Sequence, residues 1–552
     1  MSIRAASTGT ARLAGAAALI AVLTVLARLA GFARTGLFSW LFQQSDLGSL
    51  YVVANTVPNI IFEIVAGGAL ASLVVPVLAG AVAAGDREAV ARTAGALLTW
   101  VVTLLVPLAV LVAVFAAPIV AVIADDPDPQ QVAAGARMLR LFAPQLPLYG
   151  TGIVLTGVLQ AHRRFAWPVI APLLSSVTVI GVYLLFLALE GRAPTVAGVG
   201  AGGELLLSGG TTLGVVALSL PLLIPLRRLG VRPRLGYHFD AEARTRIGPL
   251  VIAGVVTVAA QQIALLVILK RLPIDLGAPI IYNLVQTVYL LPWAVFAVPL
   301  AVAAYPTLAA ASAVGDEQAY RRTLAPTVRG VLLFSSLGAA VLVGVAGPVA
   351  RFFFDAPQMV DPTAAAVTAF APGLLGYGLF AVLSRALYAR GAVRDATLAI
   401  TVGWLVVPAA VIGFALLVPR EERVSAVGAA NSLGMLVLGA LLVAAVYRSA
   451  GAGSLAGAGR AAAAGITAAL AGAAAARAVL AVLPQLAGKA GALAQGALAA
   501  AVAAAVFLAL AYLLDRPDVR PLLAALARRL GRLTRRGRGG RADGDTKETV
   551  AR

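Results

Sequence analysis

Apolar runs of 18 or more residues follow one another along almost the whole chain. Short polar clusters with turn signals separate them, such as Asp125-Asp126-Pro127-Asp128-Pro129, Asp355-Ala356-Pro357 and Pro419-Arg420-Glu421-Glu422. Each run is long enough to cross a hydrocarbon core about 30 Å thick as a helix. The pattern predicts an all-α polytopic membrane protein with about 14 transmembrane helices. The spans fall near 13–42, 47–79, 88–124, 131–161, 166–189, 209–229, 245–270, 276–312, 321–354, 363–389, 395–419, 424–447, 457–483 and 488–514. The first runs on through Arg28 and Arg34 with no small-residue cleavage motif, as an uncleaved helix does.

The pattern occurs twice. Asp46-Leu47-Gly48 returns as Asp275-Leu276-Gly277, Val75-Pro76 as Tyr305-Pro306, and Gly85-Asp86 with Arg92-Thr93 as Gly315-Asp316 with Arg322-Thr323. Phe142-Ala143-Pro144 with Tyr149-Gly150 returns as Phe370-Ala371-Pro372 with Tyr377-Gly378, and these offsets all lie between 228 and 230 residues. Six helices per copy is an even number, so the two six-helix repeats enter the membrane in the same sense. The expected organisation is a lobe at 1–229, a basic linker at 230–244, a second lobe at 245–448, two extra Ala/Gly-rich helices at 449–515 and a basic tail at 516–552. The tail starts amphipathic, from Val519 to Leu533, and is expected either on anionic headgroups or free in solvent.

Composition sharpens this reading. Hydrophobic residues are 61% of the chain and charged ones 12%, so the net charge of +19 is not a nucleic-acid footprint. With odd-numbered spans running outward, eighteen Arg fall in the loops on the N-terminal side and six Arg or Lys on the other. Positive loops stay in the cytoplasm, which places a multi-pass protein in the plasma membrane with both termini cytoplasmic. Zero cysteines exclude disulfides and thiolate chemistry. No phosphate-binding Gly-x4-Gly-Lys-Ser/Thr and no metal-ligand spacing is present, so the chain is expected to be a secondary transporter with no cofactor and no metal.

Ionisable groups at membrane depth are costly and usually face a cavity or a partner. Arg28 and Arg34 lie on helix 1, and Asn55, Asn59 and Glu63 stand at comparable depths on helix 2 beside Pro58. Helix 7, the counterpart of helix 1, reads Thr257-Val258-Ala259-Ala260-Gln261-Gln262 there and carries no arginine. Two readings follow: an Arg28–Glu63 ion pair that fixes packing, or a cationic cavity whose guanidinium forks grip an anionic headgroup. Gln286, Asn283 and Tyr289 on helix 8 are candidates for the opposite wall. Arg385, near the cytoplasmic end of helix 10, is expected to snorkel to the surface, and His162 and His238 read as loop residues.

Ala27-Arg28-Leu29-Ala30-Gly31-Phe32-Ala33-Arg34 resembles the first-helix Arg-x-x-Gly-Phe-x-Arg signature of the MviN/MurJ lipid II flippases, within the multidrug/oligosaccharidyl-lipid/polysaccharide exporter superfamily. Pro58-Asn59, Gly68-Ala69-Leu70 and Val75-Pro76 are similar to that family's second helix. Arg164-Phe165-Ala166-Trp167-Pro168-Val169-Ile170-Ala171-Pro172 is similar to its fifth-helix motif. The resemblance implies a bacterial flippase that carries an undecaprenyl-pyrophosphate-linked saccharide-peptide from the inner to the outer leaflet by alternating access. It also implies contact with membrane lipids and with other cell-wall synthesis or division proteins, and it puts Arg28 and Arg34 in the substrate cavity. Residues common in relatives are replaced by Ser49, Phe62, Gly67 and Thr287 here, and a sodium-site acid by Ala392, so no coupling ion is implied. The alternative is an exporter of another polyprenyl-linked saccharide or of amphipathic drugs, the latter requiring an acidic cavity. A polytopic membrane enzyme would need catalytic carboxylates at one face, where this chain has turn-like acidic clusters.

Overall fold

The computed structural model describes residues 2–65, 74–231, 233–234, 236–237 and 241–520. Among these residues all regular structure is helical. In chain order the helices are α1 (Ser2–Leu41), α2 (Asp46–Glu63), α3 (Val74–Ala83), α4 (Arg87–Val114), α5 (Ala116–Ile123), α6 (Pro129–Phe142), α7 (Gln145–Ala161), α8 (Ala166–Glu190), α9 (Ala201–Ser219) and α10 (Leu223–Arg228). The second half contributes α11 (Ala241–Arg271), α12 (Ala278–Pro292), α13 (Val298–Ala313), α14 (Glu317–Phe353), α15 (Pro357–Phe370), α16 (Gly373–Ala389), α17 (Val393–Ala415), α18 (Arg423–Ala450), α19 (Ala458–Val482) and α20 (Gly488–Leu514). Among the described residues, 12 helices are long and apolar enough to cross a membrane, or 13 when α15 and α16, bent by 44°, are joined. The span expected at 47–79 runs through residues 66–73, outside the described residues, as do Gly67, the Gly68-Ala69-Leu70 motif, Arg232, His238 and the tail from 521. Helix α11 begins at Ala241, inside the segment expected as linker.

The repeated motifs do repeated work. Gly85 and Gly315 take left-handed φ values of +70° and +71°, and the next residue caps the following helix. Asp86 accepts from the Ala89 amide at 2.9 Å, and Asp316 from the Ala319 amide at 2.8 Å. Each Phe-Ala-Pro motif breaks its span, between α6 and α7 in one copy and α15 and α16 in the other, because proline cannot donate to the helical ladder. Partners repeat as well. The pairs α1–α8, α2–α6, α4–α7 and α8–α9 of the first half match α11–α17, α12–α15, α14–α16 and α17–α18 of the second.

Helices α19 and α20 stand outside this scheme and pack on α14 and on each other. Small residues allow the approach: a methyl at Gly472 would sit 2.7 Å from the Ala503 carbonyl oxygen, and one at Gly344 2.9 Å from the Ala476 Cβ. The described start of the tail docks on protein. Asp518 pairs with Arg329 at 2.8 Å and Arg460 at 3.0 Å, and Asp515 with Arg460 at 2.9 Å.

The two ends of the molecule differ. At the distal face, opposite the start of α1, ion pairs tie the halves together. Asp125 lies 3.3 Å from Arg423 and 3.5 Å from Arg420, which also reaches Asp275 at 3.0 Å. Asp125 and Pro273 form a parallel β-bridge, and Lys270 donates to the Ala124 carbonyl at 2.7 Å. Nearby, Asp355 binds Arg192 at 2.7 Å and Lys489 of α20 at 2.6 Å, while Gln43 Oε1 accepts from the Asp355 amide at 2.9 Å. The Lys489 ammonium, then Arg192, holds the Asp355 carboxyl at about 2, below its ordinary 3.8. A depressed acid stabilises this contact above the ordinary value, and the contribution is lost only as pH falls from about 4 towards 2, so it is intact at neutral pH. At the proximal face the ion pairs Glu88–Arg234 and Glu317–Arg390 stay within one half. Among the described residues none joins the halves there.

One ion pair with a buried acid predicts a stability effect. Glu204 on α9 is 4% exposed and takes a bidentate grip from Arg137 on α6, at 2.6 and 2.7 Å. Arg137→Ala should destabilise the protein by about 1–3 kcal/mol, because the carboxylate is left buried and unpaired. Adding Glu204→Gln should recover most of the loss in a thermal melt. A melt unchanged by Arg137→Ala would refute this.

Candidate functional site

Among the described side chains of helix α1, packing is confined to the distal part. Leu19, Val22, Val25, Leu26 and Leu29 are exposed, whereas Phe32 meets Phe353 edge-on at 5.8 Å and Phe38 is buried. Arg34 therefore lies where α1 enters the packed body, half-buried, about 10 Å from the helix end. Arg28 was expected to be buried as well. It is exposed, as are the neighbouring Val25, Leu26 and Leu29, and six residues place it about 120° round the helix from Arg34.

Arg34 enters a cavity of about 270 Å³ between the halves. Asn55 and Asn59 of α2, four residues apart on one helix face, line it, with Tyr51, Tyr149, Tyr183 and Thr211. Asn283 and Thr287 of α12 close it from the second half. The tyrosines are held by a hydroxyl network: Tyr51 lies 3.0 Å from Tyr183 and 2.9 Å from Thr211, and Tyr149 donates to Asn59 Oδ1 at 3.1 Å. Asn55 Oδ1 is buried without a hydrogen-bond partner. No carboxylate is among the lining residues, and among the described residues no acid forms an ion pair with Arg34 or Arg28.

The expected site residues thus separate. Arg34, Asn55 and Asn59 share the cavity, while Arg28, Glu63 and Gln286 are not among its lining. Glu63 and Arg28 are both exposed and do not pair. Asn283 and Thr287, one helical turn apart, line the cavity from α12, whereas Gln286, about 60° round the helix from Asn283, does not. Tyr51, Tyr183 and Thr211 had no signal of their own, since an aromatic or hydroxyl in an apolar helix reads as core. Tyr149 also lines a second, more apolar cavity of about 300 Å³, with Phe62, Val74, Ile153, Leu218 and Leu222. His162 turns its Nδ1 to the Val158 carbonyl at 2.8 Å, at the end of α7.

The arrangement offers an unpaired guanidinium and several hydroxyl and amide groups to an anion, beside an apolar chamber. Comparison with known proteins gives the family and the fold. A family model described as lipid II flippase MurJ matches residues 38–516. A probable lipid II flippase MurJ of Synechocystis sp. is 28% identical over 233 residues, 41% of this chain and 42% of that protein. The lipid II flippase MurJ of Burkholderia cenocepacia is 24% identical over 397 residues, 70% of this chain and 74% of that protein. A solved lipid II flippase MurJ in an inward closed conformation superposes with a TM-score of 0.69 at 17% identity, over 90% of this chain and 99% of that one. A multidrug resistance MATE family transporter in an inward-facing conformation reaches 0.64 at 14% identity, over 78% of this chain and 98% of that one.

Proposed function

The chain belongs to the lipid II flippase MurJ family, and from that membership we propose that it carries lipid II from the inner to the outer leaflet of the bacterial plasma membrane by alternating access, its diphosphate passing Arg34. The observation that carries this reading is the unpaired Arg34 guanidinium in a cavity free of carboxylates among its lining. At about 270 Å³ the cavity is just below the usual size of ligand pockets, so it suits the diphosphate and not the saccharide-peptide. Charge-assisted, bidentate contacts suit phosphate oxygens, and the tyrosine and asparagine groups supply further hydrogen bonds. Arg28, about 9 Å back along α1, meets the headgroup first. The absence of carboxylates from this lining disfavours a cationic-drug exporter.

The lobes at 1–229 and 245–448 rock about this cavity, 230–244 links them, and 449–515 braces the second. Both termini are cytoplasmic, which makes the distal face external and the ion-paired arrangement an inward-facing state. The chain has no cysteine, so single thiols test the orientation. A thiol at Asp128 or Glu421 should react with an impermeant reagent on intact cells, and one at Glu317 should not. The reverse labelling would end the orientation. Substrate identity is tested by depletion: lipid II should accumulate in the inner leaflet. Accumulation of a different lipid-linked saccharide would reassign the substrate.

A further inference from the structure

The second lobe holds an arginine pocket of its own. Helices α11, α16 and α17 enclose a cavity of about 390 Å³, with Val258, Gln261, Arg385, Tyr388, Ile400 and Trp404 in its wall. Arg385 lies four residues before the end of α16, about 6 Å from it and so at headgroup depth. A snorkelling arginine would reach for the surface. Instead Arg385 Nη1 donates to the Ala381 carbonyl at 2.6 Å, one turn back towards the bilayer interior. Among the described residues no carboxylate pairs with it. Phe380, which also lines the pocket, stands about 14 Å from the helix end, so the polar mouth leads into an aromatic and aliphatic shaft.

The duplication sets this pocket apart from the first lobe. At the offset of 228 residues that relates Tyr149 to Tyr377, the counterpart of Arg385 is Gly157, where a Cβ would come 2.4 Å from Val74. The Asp46–Asp275 offset of 229 makes Thr257, in this pocket, the counterpart of Arg28. One lobe thus carries its arginine on the first helix and the other on the fourth. An arginine held at membrane depth without an acid favours an anion, and the anion available at that depth, with a chain to fill the shaft, is a lipid phosphate. We propose that this pocket binds the phosphate of an anionic lipid through Arg385, with its hydrocarbon chain along Phe380, Ile400 and Trp404.

The test is native mass spectrometry of the delipidated full chain titrated with phosphatidylglycerol, undecaprenyl phosphate, diacylglycerol and inorganic pyrophosphate. One of the two phospholipid probes at least should bind, and Arg385→Ala should raise its Kd tenfold or more. Val258→Trp, which fills the shaft and keeps the arginine, should weaken binding as much, and it serves if Arg385→Ala melts early. Arg34→Ala should leave this binding unchanged, which separates the pocket from the central cavity and from the transport reading. Binding of undecaprenyl phosphate alone would assign the pocket to the prenyl carrier, and binding of both to the bulk bilayer. Diacylglycerol binding as tightly as the phospholipids, pyrophosphate binding that tightly and lost with Arg385→Ala, or both pocket variants binding like the wild type, would overturn the proposal.

Discussion

Arg34→Ala should abolish translocation while the protein stays inserted and folded. Arg34 has no ion pair to lose among the described residues, so its removal leaves no buried acid behind and stability should barely move. In the proposed mechanism it meets the diphosphate inside the cavity, where losing one side of a desolvated, hydrogen-bonded charge contact costs about 2–5 kcal/mol. That corresponds to a drop in rate of roughly 30- to 4,000-fold if the contact is made in the occluded state. Arg34→Lys retains the charge but not the planar fork, and should recover only part of the rate. Exposed Arg28 is screened, so Arg28→Ala should cost about tenfold or less. The measurement is lipid II flipping in reconstituted vesicles beside growth of depleted cells rescued by each variant. Full rescue by Arg34→Ala would remove the cavity from the mechanism.

Locking the distal face should stop transport as completely. The bridged residues Asp125 and Pro273 belong to different halves, and bridge partners stand about 5 Å apart at Cα, within disulfide range. In this cysteine-free chain, Asp125→Cys with Pro273→Cys gives one defined crosslink. Oxidation should halt flipping and a reductant should restore it, with each single variant insensitive to both. Flipping that continues at full rate with the crosslink formed would mean this face does not open.

Much of this architecture was legible in the sequence because the repeat is a repeat of local tasks. A Gly-Asp pair that turns and caps, or a Phe-Ala-Pro that breaks a span, performs its task from within a few residues. Arg34, Asn55 and Asn59 could be grouped because charge and amides are rare at membrane depth and helix periodicity aligns them. The tyrosine network could not, since nothing near Tyr51 marks Tyr183 as its partner. Asp125 and Arg420 were visible only as turn residues, because their pairing spans 295 positions and depends on how the halves meet. Arg385 was placed at the right depth but facing the wrong way, because side-chain direction there is set by the space between three helices.

The distal contacts also set how firmly the proposed inward-facing state is held. Partly exposed ion pairs contribute about 0.2–1 kcal/mol each, so the three that cross between the halves, Asp125–Arg423, Asp125–Arg420 and Asp355–Arg192, together contribute about 0.6–3 kcal/mol to holding the face closed. By themselves these pairs shift the ratio of closed to open forms about 3- to 160-fold. On the proposed orientation this share of the closure acts as a rheostat, set by external ionic strength. The occupancy of the face should drift towards the outward-open form as salt rises and the Debye length shrinks from about 10 Å to 3 Å.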